Sequence, residues 1–241
     1  MSISINLAPK QPHLNVNEIF GPTIQGEGCH TGYLVGFLRL AGCNLACSWC
    51  DTPYSWDWTR YDKNEESHKM AIEEIAEQIR PMNVRRLIVT GGEPMLQQNR
   101  FPALHEATGC LLDIETNGTI APKPEIIDSV DMFVVSVKLA HAGDDESARI
   151  KPDAISKFAE LAAQGKAIFK FVAQSKTDFG EIRDLIDAAQ IPKHAVWIMP
   201  EGMTAERSLI SMRLIADDVI KEGWNLSARV HTLIWNLERG H

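Results

Sequence analysis

The sequence predicts an α/β protein, an open or partial (β/α)6 barrel in a single domain, and three observations carry that prediction. Six short apolar or β-branched runs recur at Tyr33–Leu40, Arg86–Thr90, Cys110–Glu115, Met132–Lys138, Ala167–Val172 and Ala195–Met199, with enough chain between them for crossovers. Such runs read as buried parallel strands. The segments between them carry helical spacing, so strand and helix alternate. The polar motifs fall at the carboxyl ends of the runs, where folds of this class collect their chemistry.

Taken in order, the first run leads directly into a cysteine-rich loop. Ile72, Ile75, Ala76 and Ile79 then repeat at the spacing of one helix face, and so do Ile155, Phe158, Ala159 and Ala162, and Ile182, Leu185, Ile186 and Ala189. A last helical stretch around Arg207–Lys221 carries Leu209, Met212, Ile215 and Ala216, and it leads into a possible seventh strand at Leu226–Leu233. Six βα units are too few for the closed eight-stranded barrel, hence the partial form. No Gly-, Pro- or Ser-rich boundary, internal repeat or low-complexity tract divides the chain. The segment Asp57–Ser67 is highly polar and reads as a variable loop.

Composition excludes several function classes. Of 241 residues, 44% are hydrophobic and 23% charged, and no apolar stretch approaches the length of a membrane span. The start MSISINLAPKQPHLN has neither a basic nor an apolar segment of the secretory type, so a cytoplasmic location is expected. With 32 acidic against 24 basic residues the formal charge is −8, and the pair Arg85-Arg86 is the longest basic cluster. Nucleic acid is therefore not an expected partner.

Three of the five cysteines, Cys43, Cys47 and Cys50, lie within eight residues after the first strand. In a reducing compartment this pattern reads as metal or redox chemistry before disulfides. Three soft ligands spaced Cys-x3-Cys-x2-Cys suit three corners of a [4Fe-4S] cluster and leave the fourth iron open to another ligand. Structural zinc is the alternative, but it wants four ligands and no second Cys-x2-Cys pair exists. Cys110 lies in an apolar run and reads as a small core residue, whereas Cys29 is a conceivable fourth ligand.

The triad, the aromatic Trp49 before its last cysteine, and Gly91-Gly92-Glu93-Pro94 after the second strand resemble the radical S-adenosylmethionine enzymes. Alone, Gly-Gly-Glu-Pro would be an ordinary turn. The resemblance narrows through Asn17-Glu18-Ile19-Phe20, Ile24-Gln25-Gly26-Glu27-Gly28, Phe37–Cys43, Trp49-Cys50-Asp51-Thr52, Val89–Pro94, Ile114–Thr119, Ser136-Val137-Lys138 and Met199-Pro200-Glu201-Gly202. In that order these motifs are similar to those of the 7-carboxy-7-deazaguanine synthase family, whose members contract the ring of 6-carboxy-5,6,7,8-tetrahydropterin with loss of ammonia in queuosine and 7-deazapurine biosynthesis.

What the resemblance implies is a partial barrel of the radical S-adenosylmethionine type, with Cys43, Cys47 and Cys50 on the [4Fe-4S] cluster. It implies that Ile24, Gln25, Gly26, Arg39 and Thr90 hold the pterin. Trp49, Cys50, Asp51, Gly92, Ser136 and Lys138 would contact S-adenosylmethionine, and Thr52 would bind Mg2+. It further implies a homodimer and an external reductant such as flavodoxin or ferredoxin. Residues 1–16 precede the family motifs and are expected to form a flexible arm, with 17–241 as the catalytic domain. Ser175-Lys176-Thr177-Asp178 is a weaker candidate for contact with adenosine. Arg229 and His231, placed on the possible seventh strand, either reach the site or are satisfied strand residues. The competing functions are a glycyl-radical activating enzyme, which needs a groove for a polypeptide, and an electron carrier, which needs four cysteine ligands.

Overall fold

The computed structural model describes residues 12–236 and 238–240. Among the described residues nine strands form one sheet: β1 (His13–Ile24), β2 (Leu34–Leu40), β3 (His68–Ala71), β4 (Arg86–Gly91), β5 (Leu111–Thr116), β6 (Met132–Val135), β7 (Ala167–Ala173), β8 (Val196–Pro200) and β9 (Asn225–Leu226). Their order is β3-β1-β2-β4-β5-β6-β7-β8-β9. From β2 through β9 each neighbouring pair is parallel, and the six runs read from the sequence are β2, β4, β5, β6, β7 and β8. The sheet begins and ends on different strands and does not close, so the fold is a partial (β/α)6 barrel.

Two expectations need correction. The arm expected over residues 1–16 falls outside the described residues as far as residue 11, but His13–Val16 belong to β1, which pairs antiparallel with both β2 and β3. The possible strand Leu226–Leu233 is realised only in the two residues of β9; Val230–Trp235 is a helix. A six-residue helix is too short to be stable alone. Tertiary contacts hold it, among them Val230 N–H donating to Gly26 O at 2.9 Å.

The parallel strands are apolar because both their faces are covered. All seven residues of β7 are buried. On the outer face, Phe158 from the helix Pro152–Ala163 meets Phe133 of β6 with ring centroids 5.4 Å apart. The helix Ile72–Ile79 buries the four residues its spacing predicts, and Glu74 caps it by accepting the Ala71 N–H at 2.9 Å. In Phe179–Ala189 the buried residues are Phe179, Ile182 and Ile186.

One polar cluster interrupts this core at the amino ends of the strands. Asp113, 1% exposed, accepts Arg86 and lies 2.6 Å from His30 Nδ1, while Arg86 also reaches Asp131 at 2.6 Å. The hydrogen bond to Asp113 pushes the His30 imidazole up to about 9. A raised value means that the charged His30 stabilises the fold fully below its ordinary value of about 6.5, with the contribution lost as pH rises through about 9. Melting temperature should therefore fall between these pH values more in the native protein than in His30→Gln. Parallel curves would show that the pair adds no stability.

Candidate active site

A cleft of about 310 Å3 opens at the carboxyl ends of the parallel strands. The residues that the family resemblance assigned to cluster, S-adenosylmethionine, pterin or Mg2+ line it: Ile24, Gln25, Gly26, Arg39, Cys43, Cys47, Trp49, Cys50, Asp51, Thr52, Thr90, Gly92, Ser136 and Lys138. Register explains part of this convergence, because β2 and β4 run parallel with Arg39 beside Thr90 and Leu40 beside Gly91.

The cysteine loop leaves β2 and is fastened by its backbone. Gly42 N–H donates to Ser55 O at 2.7 Å, Ala46 N–H to Asp144 Oδ1 at 3.0 Å and Ser48 N–H to Ala142 O at 2.8 Å. Asn44 donates to Thr119 Oγ1 at 2.8 Å and accepts from Asn117 Nδ2 at 3.0 Å, which ties the loop to the end of β5. The three thiols line the wall of the cleft. Among the described residues no three His, Cys, Asp or Glu side chains are set to hold one metal ion. Three separate irons of a cluster do not require such convergence, and the soft donor set fits that group. Burial pushes the Cys43 thiol up to about 11 and Cys47 to about 12, so loading must displace protons. Cys110 is buried with its Sγ 3.6 Å from Val84 O, and neither it nor Cys29 is among the residues lining the cleft.

Gly91 and Gly92 are required by the backbone packed against them. A Cβ at Gly91 would fall on Leu40 O and one at Gly92 on Gly42 O. The absence of side chains lets Gly92 N–H donate to Leu40 O at 3.0 Å and Glu93 N–H to Gly42 O at 2.8 Å, so the pair locks the cysteine loop to β4. Glu93, 1% exposed, accepts from Asn117 N at 2.7 Å, Thr116 Oγ1 at 2.8 Å and Met95 N at 2.9 Å. Burial raises its pKa against these donors.

Lys138 lies just past β6, donates to Ser136 Oγ at 2.9 Å and stands 5.6 Å from the centre of the Trp49 ring. Arg39 is already engaged on one edge: its Nε donates to Glu18 Oε1 at 2.7 Å, and its guanidinium lies 5.8 Å from the Phe20 ring centre. Gln25 donates to Glu115 Oε1 at 3.2 Å. At Gly26 a Cβ would fall on the His231 ring, so glycine is what admits that histidine.

The cleft holds further ionic side chains: Glu27 and Lys170, to which the sequence assigned no role, and Arg229 and His231, which it left undecided. Glu27 accepts Lys170 and, at 2.9 Å, Arg229 Nε; Arg229 also donates to Asp51 Oδ2 at 2.7 Å. Burial opposes ionisation of Glu27, but Lys170 and Arg229 outweigh it and hold the carboxyl well below its ordinary range. Burial lowers the His231 pKa, with its Nε2 3.7 Å from Glu27 Oε1. Arg229 and His231 thus line the cleft, and His231 does so from a helix. Lys170 left a signal in the sequence, as the lone charge in the run AIFKFVA, since lysine is rarely buried unless paired. Arg239 at the rim binds Glu18 Oε2 and Glu66 Oε2, each at 2.9 Å, so the polar segment Asp57–Ser67 contributes a clasp through its helix Lys63–Glu66. Ser175–Asp178 form a capped turn after β7 and are not among the lining residues.

The chain matches the model of the Radical SAM superfamily over residues 38–164. It is similar to the 7-carboxy-7-deazaguanine synthase of Pyrobaculum aerophilum, 35% identical over 95% of this chain and 98% of the relative. The same holds for that of Hyperthermus butylicus, 34% identical over 92% of each chain. In fold it is similar to the crystal structure of QueE from Escherichia coli, with a TM-score of 0.68 at 24% identity over 89% of this chain and 93% of that one. Identity at this level across nearly the whole length, on top of the superfamily match, settles the affiliation: the chain belongs to the 7-carboxy-7-deazaguanine synthase family of the radical S-adenosylmethionine superfamily.

Proposed function

We propose that the chain converts 6-carboxy-5,6,7,8-tetrahydropterin to 7-carboxy-7-deazaguanine and ammonia. The observation that carries this reading is one cleft lined by both the three-cysteine loop and the residues nominated for the pterin. Cys43, Cys47 and Cys50 would hold the cluster, and Trp49, Asp51, Gly92, Ser136 and Lys138 S-adenosylmethionine. Together these groups, when bound, supply one-electron reduction and hydrogen-atom abstraction from carbon.

The chain's own residues bind and orient. With its Nε on Glu18, Arg39 has its plane fixed and its terminal nitrogens left to grip a substrate carboxylate as a fork. The Gln25–Glu115 pair offers an amide and a carboxylate to the polar edge of a pterin. Ile24, Gly26 and Thr90 would complete that wall. Asp51, held by Arg229, would contact S-adenosylmethionine.

Ring contraction with loss of ammonia is a net rearrangement and needs no outside oxidant. Reduced enzyme should therefore form many equivalents of 7-carboxy-7-deazaguanine while 5′-deoxyadenosine stays far below product, and deuterium from the substrate should appear in recovered S-adenosylmethionine. Accumulation of 5′-deoxyadenosine one for one with product, or no deazapurine at all, would sink the reading. The latter outcome would favour an activating enzyme, which spends one S-adenosylmethionine per site.

Thr52 is proposed as the Mg2+ residue, a hard hydroxyl donor that suits an ion keeping most of its waters. Thr52→Ala should need more Mg2+ for half-maximal turnover while keeping its cluster. Superimposed Mg2+ curves would make it a turn residue only. The reading also includes a cytoplasmic location, a homodimer and an external reductant such as flavodoxin or ferredoxin. No helix among the described residues is long and apolar enough to cross a membrane.

A further inference from the structure

Trp56 stands outside every motif used so far, yet its indole Nε1 donates to Cys50 Sγ at 3.3 Å. Its placement is fixed by a short turn. Pro53–Ser55 form one turn of 3-10 helix, and Trp56 N–H closes it on Pro53 O at 3.1 Å. Ser55 beneath is fully buried, with its Oγ donating to Thr52 O at 2.8 Å and its carbonyl accepting Gly42 N–H at 2.7 Å. The same contact that fastens the cysteine loop therefore aims the indole at a cysteine. Trp56 itself lines the cleft.

An N–H directed at a cysteinyl sulfur stabilises the added negative charge when a cluster accepts an electron, and so makes reduction easier. Cys43 receives such a bond from the backbone of Leu45 at 3.5 Å, which a side-chain substitution leaves in place. At Cys50 the Thr52 hydroxyl lies 3.8 Å from the sulfur, and the shorter bond, from the indole, hangs on one side chain. We propose that Trp56 is a positioning residue that raises the reduction potential of the cluster through Cys50, easing the one-electron step driven by the external reductant. This rests on the reading that Cys43, Cys47 and Cys50 hold a [4Fe-4S] cluster.

The test is Trp56→Phe, which keeps an aromatic ring and removes the donor. Both proteins are reconstituted with iron and sulfide without oxygen, assayed for iron, and titrated against mediators with the reduced cluster followed by electron paramagnetic resonance. Full iron is expected in both. At a fixed potential the reduced-to-oxidised ratio should be about tenfold lower in Trp56→Phe, which is about 59 mV for one electron. Full iron with an unchanged potential overturns the inference and leaves the cluster reading intact; a native protein that assembles no four-iron cluster overturns both. If Trp56→Phe fails to assemble the cluster, Trp49→Phe protein carrying indole-15N tryptophan decides. A 15N hyperfine coupling in the reduced cluster supports the bond, and its absence overturns it.

Discussion

Cys47→Ala protein, reconstituted with iron and sulfide without oxygen, is expected to stay colourless and catalytically dead while folding as the native chain does. The thiol is one of three that line the cleft, and the chain offers no spare: Cys110 is buried in the core, and Cys29 is not among the lining residues. Two thiolates cannot hold a cluster that already has one iron without a protein ligand. The loop, by contrast, is fastened by backbone and asparagine hydrogen bonds in which the Cys47 side chain has no part. Visible absorption and bound iron measure the loss, and circular dichroism measures the fold. Cys110→Ala should keep its colour. A full complement of iron in Cys47→Ala would remove this residue from the ligand set.

Glu27→Ala should be the most destabilising change inside the cleft, at about 3–5 kcal/mol in urea unfolding at neutral pH, the usual effect of stranding a buried charge. The side chains of Lys170 and Arg229 are only 6% and 9% exposed, and Glu27 is the acceptor they share. Arg229 would retain Asp51 and Gly202 O, so the greater penalty falls on Lys170. Lys170→Met in the Glu27→Ala background should then recover stability, because it removes the stranded cation and leaves an apolar strand residue. The pH dependence has a fixed sign. A carboxyl held below its ordinary value stabilises the fold above about 4.5 and loses that contribution as pH falls further, so native protein and Glu27→Ala should converge in stability in acid. A loss under about 1 kcal/mol at neutral pH would mean that water, not the carboxylate, solvates the two cations.

The parts of the fold legible in the sequence are those in which burial is uniform. AIFKFVA and RLIVTG read as strands because parallel strands are covered on both faces. Strand β1 escapes this reading, since HLNVNEIFGPTI places Asn, Glu, Gly and Pro among its apolar residues and is buried only in part. Strand β3, HKMA, is too short and polar to register. Leu226–Leu233 read as a strand, but from Val230 onward the chain is a helix held by its contact with Gly26, a case of tertiary structure overriding local preference. The site was legible wherever chemistry has a fixed spacing, as in the cysteine loop. The meeting of Glu27, Lys170 and Arg229 was not: Lys170 and Arg229 stand out singly, but residues 27, 170 and 229 come together only in the folded sheet, and no spacing along the chain encodes that.

The bonding between the glycine pair and the cysteine loop bears on how portable this site is. The loop by itself looks like a module that a designer could lift onto another scaffold. Its shape, however, is completed by the end of a second strand that must arrive without side chains, carry a buried Glu93 behind it, and meet Asn117 from a third strand. A transplant of Cys43–Cys50 alone would lose the surface on which it is cast. The smallest unit that can be moved intact spans the ends of β2, β4 and β5 together, three stretches far apart in the chain that hydrogen bonds join into one.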